Sequence, residues 1–143
     1  MINKLLLATD ASDNAQRAAE QVIELMKKYP ELKVTVLYVK SPATNLLKFS
    51  PWIQLEEIDK EVEKIAVRSV AKTLGLFENE GLAADSAIVS GEPGIEIAGY
   101  AKKNGYGWIV MGTRGLGNLS GIILGSVSHQ VLHAAEVPVL LVK

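Results

Sequence analysis

The chain has no cysteine, so a disulfide framework and a thiolate metal site are both excluded. It has no surplus of one charge either. Fifteen Lys and Arg stand against sixteen Asp and Glu, a formal net charge of −1, and nothing marks a partner such as nucleic acid or an anionic membrane surface. No apolar run reaches transmembrane length. The opening "MINKLLLATDAS" has an apolar stretch too short for the core of a secretory signal, and it ends at an acid. Internal repeats, low-complexity tracts and linkers are also missing. These absences lead to the expectation of one soluble, cytoplasmic domain over residues 1–143. That length is enough for a substantial single core.

What is present alternates. "KLLLATD" (Lys4 to Asp10) is a short apolar run closed by polar residues, as in a strand buried on both faces. Ser12 or Asp13 offers a helix N-cap. Ala15, Ala18, Ala19, Val22, Ile23, Leu25 and Met26 then recur at helical spacing until Pro30. "KVTVLYVK" (Lys33 to Lys40) is β-branched and predicts a second strand. The one long loop, "SPATNLLKFSP", leads to a helical pattern from Trp52 to about Glu80. "DSAIVSG" predicts a third strand, and "EPGIEIAGYAKKNG" a short helix with Pro93 in its first turn and Gly105 past its end. "WIVMG" is a fourth strand, a helix runs from near Gly125 to about Ala135, and "VPVLLVK" is the fifth strand. The order β-α-β-α-β-α-β-α-β predicts an α/β fold, a doubly wound parallel sheet with helices on both faces. Ligands of such sheets bind beyond the carboxyl ends of the strands, where the strand order reverses.

The fourth strand runs into "MGTRGLGNLSGIILGSVSHQ", the glycine-rich stretch from Met111 to Gln130. Its place at the carboxyl edge of the sheet, just before a helix, suits an anion. Small residues admit close approach, and a helix start offers unpaired N–H groups and the positive end of the dipole. Gly125 and Ser126 stand near that start, with Gly112, Thr113, Arg114 and Gly115 able to form the opposite wall. Two common phosphate motifs fail. A P-loop requires Lys after its last glycine, and Ser126 follows Gly125; the dinucleotide fingerprint requires glycines after the first strand, and there are none. On the residues alone, the alternative is that these glycines only shape a turn.

Gly112-x-x-Gly115, nine residues, then Gly125-Ser126 resembles the G-2x-G-9x-G-[S/T] pattern of the nucleotide-binding branch of the universal stress protein family. The resemblance covers the whole chain, through "LLLATDAS", "IVMGTRG", "LGSVSHQVL" and "VPVLLV". It implies a five-stranded sheet of order 3-2-1-4-5 and an ATP site between strands one and four. By the same resemblance Ala8, Thr9 and Asp10 lie beside the nucleoside, and the backbone at Val39 reads the adenine edge. Met111 and Gly112 form the floor; Gly115, Gly125, Ser126, Val127 and Ser128 cradle the phosphates. Arg114 is the one nearby cation by sequence, with backbone amides and bound Mg²⁺ neutralising the remaining charge. Asp10 is a candidate for a ribose or metal-water contact, or simply an acid at a helix start. Gly107 departs from an acid common in relatives before the fourth strand, and Gly117 and Ser120 depart from longer or basic loop residues.

Other candidates read as ordinary structure. His129 and His133 are four apart, but Gln130 stands where a zinc protease has its Glu, and Val127, Val131 and Ala134 define the buried face. The pair is expected to be solvated or to face a dimer partner. "LEEIDKEVEK" is the solvated face of the second helix, while Phe49 and Trp52 are expected to cap the core rather than flank the adenine. The fifth strand is apolar on both faces and lies at the sheet edge, protected only by Lys143. The family pairs such edges antiparallel, so a homodimer through Val137 to Val142 is expected. The function expected is an ATP-binding regulatory or stress-response module whose occupancy changes what unidentified protein it binds. The alternatives are a slow ATPase or autophosphorylating protein, with Ser126 or Ser128 as acceptor, and a structural or chaperone-like dimer without nucleotide.

Overall fold

Leu5 and Leu7 point to one side of their strand, and Leu6 and Ala8 point to the other. That period-two alternation divides the core into two layers. The computed structural model describes residues 3–42, 52, 54–114 and 124–143. Strands β1 (Lys4–Ala8), β2 (Lys33–Lys40), β3 (Asp85–Ser90), β4 (Trp108–Gly112) and β5 (Val139–Val142) form one sheet of order β3-β2-β1-β4-β5. Every neighbouring pair is parallel, as in Ala8↔Leu37 and Leu7↔Val110. The fold class and strand order expected above are those observed.

Helices α1 (Asp13–Lys28) and α2 (Leu55–Asn79) cover one face. Ala18, Ala19, Val22 and Ile23 of α1 and Phe77 of α2 meet Leu5, Leu7, Val34, Val36 and Val110. Helices α3 (Pro93–Lys103) and α4 (Ser126–Ala134) cover the other, where Ile97, Ala101 and Val131 meet Leu6, Leu37, Ile109 and Met111. The chain winds to one side of β1 through α1 and α2 and to the other through α3 and α4. The order therefore reverses between β1 and β4, which leaves a crevice at their carboxyl ends.

Local chemistry sets the helix ends. Ser12 is the N-cap of α1, and its hydroxyl accepts the Ala15 N–H at 3.2 Å. The helix closes one residue before Pro30, with the Tyr29 N–H on the Leu25 carbonyl at 2.8 Å. Pro93 opens α3, and past its end Gly105 takes φ +71°, the left-handed turn that lets the Tyr106 N–H return to the Ala101 carbonyl. The charged N-terminal face of α2 is solvated, as its pattern predicts.

Two burial expectations are corrected. Trp52 is 91% exposed rather than packed in the core, because it precedes the first turn of α2 and lies outside that helix's apolar stripe. Phe49 lies outside the described residues. On α4 the buried positions are Ser128 and Val131, whereas Ala134 is exposed; the helix is rotated so that a serine takes a core position.

Candidate functional site

A cleft of about 380 Å³ opens at the carboxyl ends of β1, β2 and β4. Its volume suits a small organic ligand. Ala8, Thr9, Asp10, Val39, Met111, Gly112, Arg114, Gly125, Ser126, Val127 and Ser128, all proposed from the sequence, line it, whereas Thr113, proposed for its wall, does not. Gly115, Gly117 and Ser120 lie outside the described residues. The structure adds Ser12, Ala15, Leu37, Tyr38, Ser41, Pro93 and Ile97. Pro93 and Ile97 gave no signal of their own, since a helix start and a core position look the same whether or not a cleft adjoins them. Tyr38 gave none either: the resemblance pointed only to the backbone at Val39, and neighbours in a strand face opposite ways. At a strand end both faces open onto the crevice.

The lining residues divide by chemistry. Leu37, Val39, Ile97 and Met111 supply an apolar side. The start of α4 lines the same cleft. Gly125 is the N-cap, and its own N–H is spent on the Thr113 carbonyl at 2.7 Å. The first intrahelical bond runs from the His129 N–H to the Gly125 carbonyl at 3.0 Å. The N–H groups of Ser126, Val127 and Ser128 therefore have no acceptor within the helix, and the dipole adds positive potential there. The anion-binding capacity of this end belongs to those three amides rather than to that of Gly125.

Two of the proposed site residues brace the protein. Ser128 is 2% exposed, and its hydroxyl lies 2.9 Å from the Gly112 carbonyl and 3.1 Å from that of Thr113. Its side chain thus holds α4 to the end of β4, and only Ser126 of the two candidate phosphate acceptors is exposed. Gly112 is small for a packing reason. A Cβ there would lie 2.7 Å from Asn14 Cβ and 2.9 Å from the Asn14 backbone carbon.

On the β1 side a buried relay of hydroxyls fixes the turn into α1. Thr73 donates to the Ser69 carbonyl at 3.1 Å, so it accepts from Thr9, 3.1 Å away. Thr9 Oγ1 in turn accepts the Ala11 N–H at 3.1 Å. Each hydroxyl gives once and receives once, the satisfied arrangement a buried polar group needs. The Asp10 carboxylate accepts the Ser12 N–H at 2.9 Å, and between them Ala11 sits at φ +62°. That conformation is costly for a residue with a Cβ. Asp10 thus acts as a turn-forming acid and also lines the cleft. Tyr38 stands near it: burial, and secondarily the Asp10 charge, push its phenol above the ordinary value, so it stays neutral at physiological pH.

His129 and His133 are exposed, and among the described residues no three His, Cys, Asp or Glu gather as a metal site. No described helix is long and apolar enough to cross a membrane.

The model of the Universal stress protein family matches residues 1–143. Universal stress protein YxiE of Bacillus subtilis is 32% identical over 150 residues, covering all of both chains. The solved structure of the protein MJ0577 of Methanocaldococcus jannaschii superposes with a TM-score of 0.84 at 30% identity, over 100% of this chain and 96% of that one. A universal stress protein from Archaeoglobus fulgidus, solved in complex with dAMP, has a TM-score of 0.70 at 23% identity and full coverage of both chains.

Proposed function

Since the chain belongs to the universal stress protein family, we propose that its cleft binds an adenine nucleotide, ATP with Mg²⁺. In this reading residues 1–143 act as one cytoplasmic, homodimeric stress-response module whose occupancy changes its protein contacts. The observation that carries the reading is the presence of apolar side chains and the amide-rich start of α4 in one crevice. A flat, weakly polar base suits the apolar side chains, and a phosphate chain suits the amides. Adenine lies against Val39 and Ile97, the ribose near Asp10, and the phosphates at Ser126 to Ser128, with Arg114 beside them. The dAMP held by the Archaeoglobus fulgidus protein supports an adenine nucleotide in a fold of this kind.

The donor set suits a metal held mainly through the phosphates. Asp10 is the one carboxylate among the described lining residues, and the other oxygens are hydroxyls and carbonyls. Bound Mg²⁺ would neutralise phosphate charge, with Asp10 as a candidate for its water shell. The purified protein, denatured without added nucleotide, should release an adenine nucleotide identifiable by mass spectrometry. Nucleotide-free protein should bind Mg-ATP saturably in a calorimeter. Absence of both signals would refute the assignment.

The dimer rests on β5. Among the described residues its one neighbour is β4, which leaves its outer side for pairing, and Leu140 is 40% exposed on it. Sedimentation should give twice the chain's mass, and Leu140→Asp should shift the species to monomer. A wild-type monomer throughout the micromolar range would remove the dimer from the reading.

A further inference from the structure

Three hydroxyls along the cleft are committed to the protein itself. Thr9 joins the relay to Thr73, Ser12 caps the Ala15 N–H, and Ser128 holds the β4 carbonyls. The hydroxyl of Tyr38 is not among those engaged in this way. Tyr38 lines the cleft half-buried from the end of β2. The register Ala8↔Leu37 sets Tyr38 alongside Thr9, one residue before Asp10. Leu37 belongs to the core layer on the α3 and α4 side, so the pleat turns Tyr38 toward the β1–α1 turn that carries Asp10.

Both residues line the same crevice as the apolar side chains and the start of α4. A carboxylate repels phosphate oxygens, so this part of the site suits neutral groups. With the base on the apolar side chains and the phosphates on the α4 amides, the remaining neutral part of a nucleotide is its sugar. A carboxylate accepts from a sugar hydroxyl, and a neutral phenol donates or accepts.

We propose that Tyr38, with Asp10, reads the ribose hydroxyls of the bound nucleotide and makes the site select ribonucleotides over their deoxy analogues. The inference rests on the nucleotide reading above and assigns a specificity role to a residue outside the glycine motif. A site built to hydrogen-bond a hydroxyl discriminates against an analogue that lacks it.

The test is calorimetric titration of the full-length wild-type and Tyr38→Phe proteins with the Mg²⁺ complexes of ATP, 2′-deoxy-ATP and 3′-deoxy-ATP. Wild type should bind at least one deoxy analogue about tenfold more weakly than ATP, as expected for a lost hydrogen bond. Tyr38→Phe should weaken ATP by a similar factor and leave that analogue within about twofold, so the preference collapses. Asp10→Asn combined with Tyr38→Phe should be non-additive, as for two groups holding one ligand. Melting curves establish that each variant is folded. Parallel weakening of ATP and both analogues by Tyr38→Phe would mean that the residue only packs. Unchanged ATP affinity would mean that only its ring matters. Equal binding of the three nucleotides by wild type would overturn the ribose reading alone, whereas failure of wild type to bind any of them would overturn the nucleotide reading with it.

Discussion

Gly112→Ala is expected to destabilise the fold by about 1–3 kcal/mol, the usual cost of forcing an added methyl into a packed site. The contact is with atoms that cannot turn away. Besides Asn14 Cβ at 2.7 Å, the new Cβ meets the Asn14 backbone carbon at 2.9 Å and the Ala15 nitrogen at 3.1 Å. Relief requires moving the first turn of α1 away from β4. That turn is pinned by the Ser12 cap and by Arg17, whose Nε donates to the Lys143 carbonyl at 2.8 Å. Each kcal/mol lowers the melting temperature of a domain this size by about 2–4 °C. Thermal or urea unfolding of the variant measures the effect. A melt indistinguishable from wild type would show that α1 yields freely, and the packing role given to Gly112 would be wrong.

Gly125→Val is expected to do the opposite: retain the fold and lose the ligand. Gly125 sits at φ −71° and ψ 162°, extended backbone that any residue adopts, and its role as N-cap uses only main-chain atoms. Losing a glycine N-cap costs stability of about 1 kcal/mol or less. The branched side chain, however, would stand at the mouth of the amide cluster formed by Ser126, Val127 and Ser128, where a phosphate would approach. Affinity for Mg-ATP should fall by about a hundredfold or more, about 2.8 kcal/mol of binding energy. Titration beside a melting curve separates the two effects. Unchanged affinity in a folded Gly125→Val protein would sink the placement of the phosphates at α4. Opposite outcomes in the two experiments would separate a glycine kept for packing from a glycine kept for access.

Much of the architecture was legible because its causes are local. Apolar runs such as "KLLLA" make sense only between two covered faces, and Ser12, Pro93 and Gly105 mark helix ends by chemistry that acts within a few residues. The glycine spacing, read through its likeness to a family, drew attention to the crevice at the sheet's switch point. Trp52 and Ala134 were misjudged because burial at the end of an element depends on what neighbouring elements cover. Periodicity carries no information about that.

The sequence by itself determined the alternation of strands and helices, the two-faced apolar core and the residues gathered at one sheet edge. Each of these follows from side-chain period and backbone preference along a single segment. Only the tertiary structure decided which of those residues are braces and which face the cleft. Gly112 yields space to Asn14, Ser128 spends its proton on carbonyls of β4, and Thr9 turns to Thr73. It also brought Tyr38 and Ile97 into the site from β2 and α3. The reason is physical: a hydrogen bond or a steric contact is a property of two groups. For partners 16 or 64 residues apart, the second group is placed only when the sheet has closed.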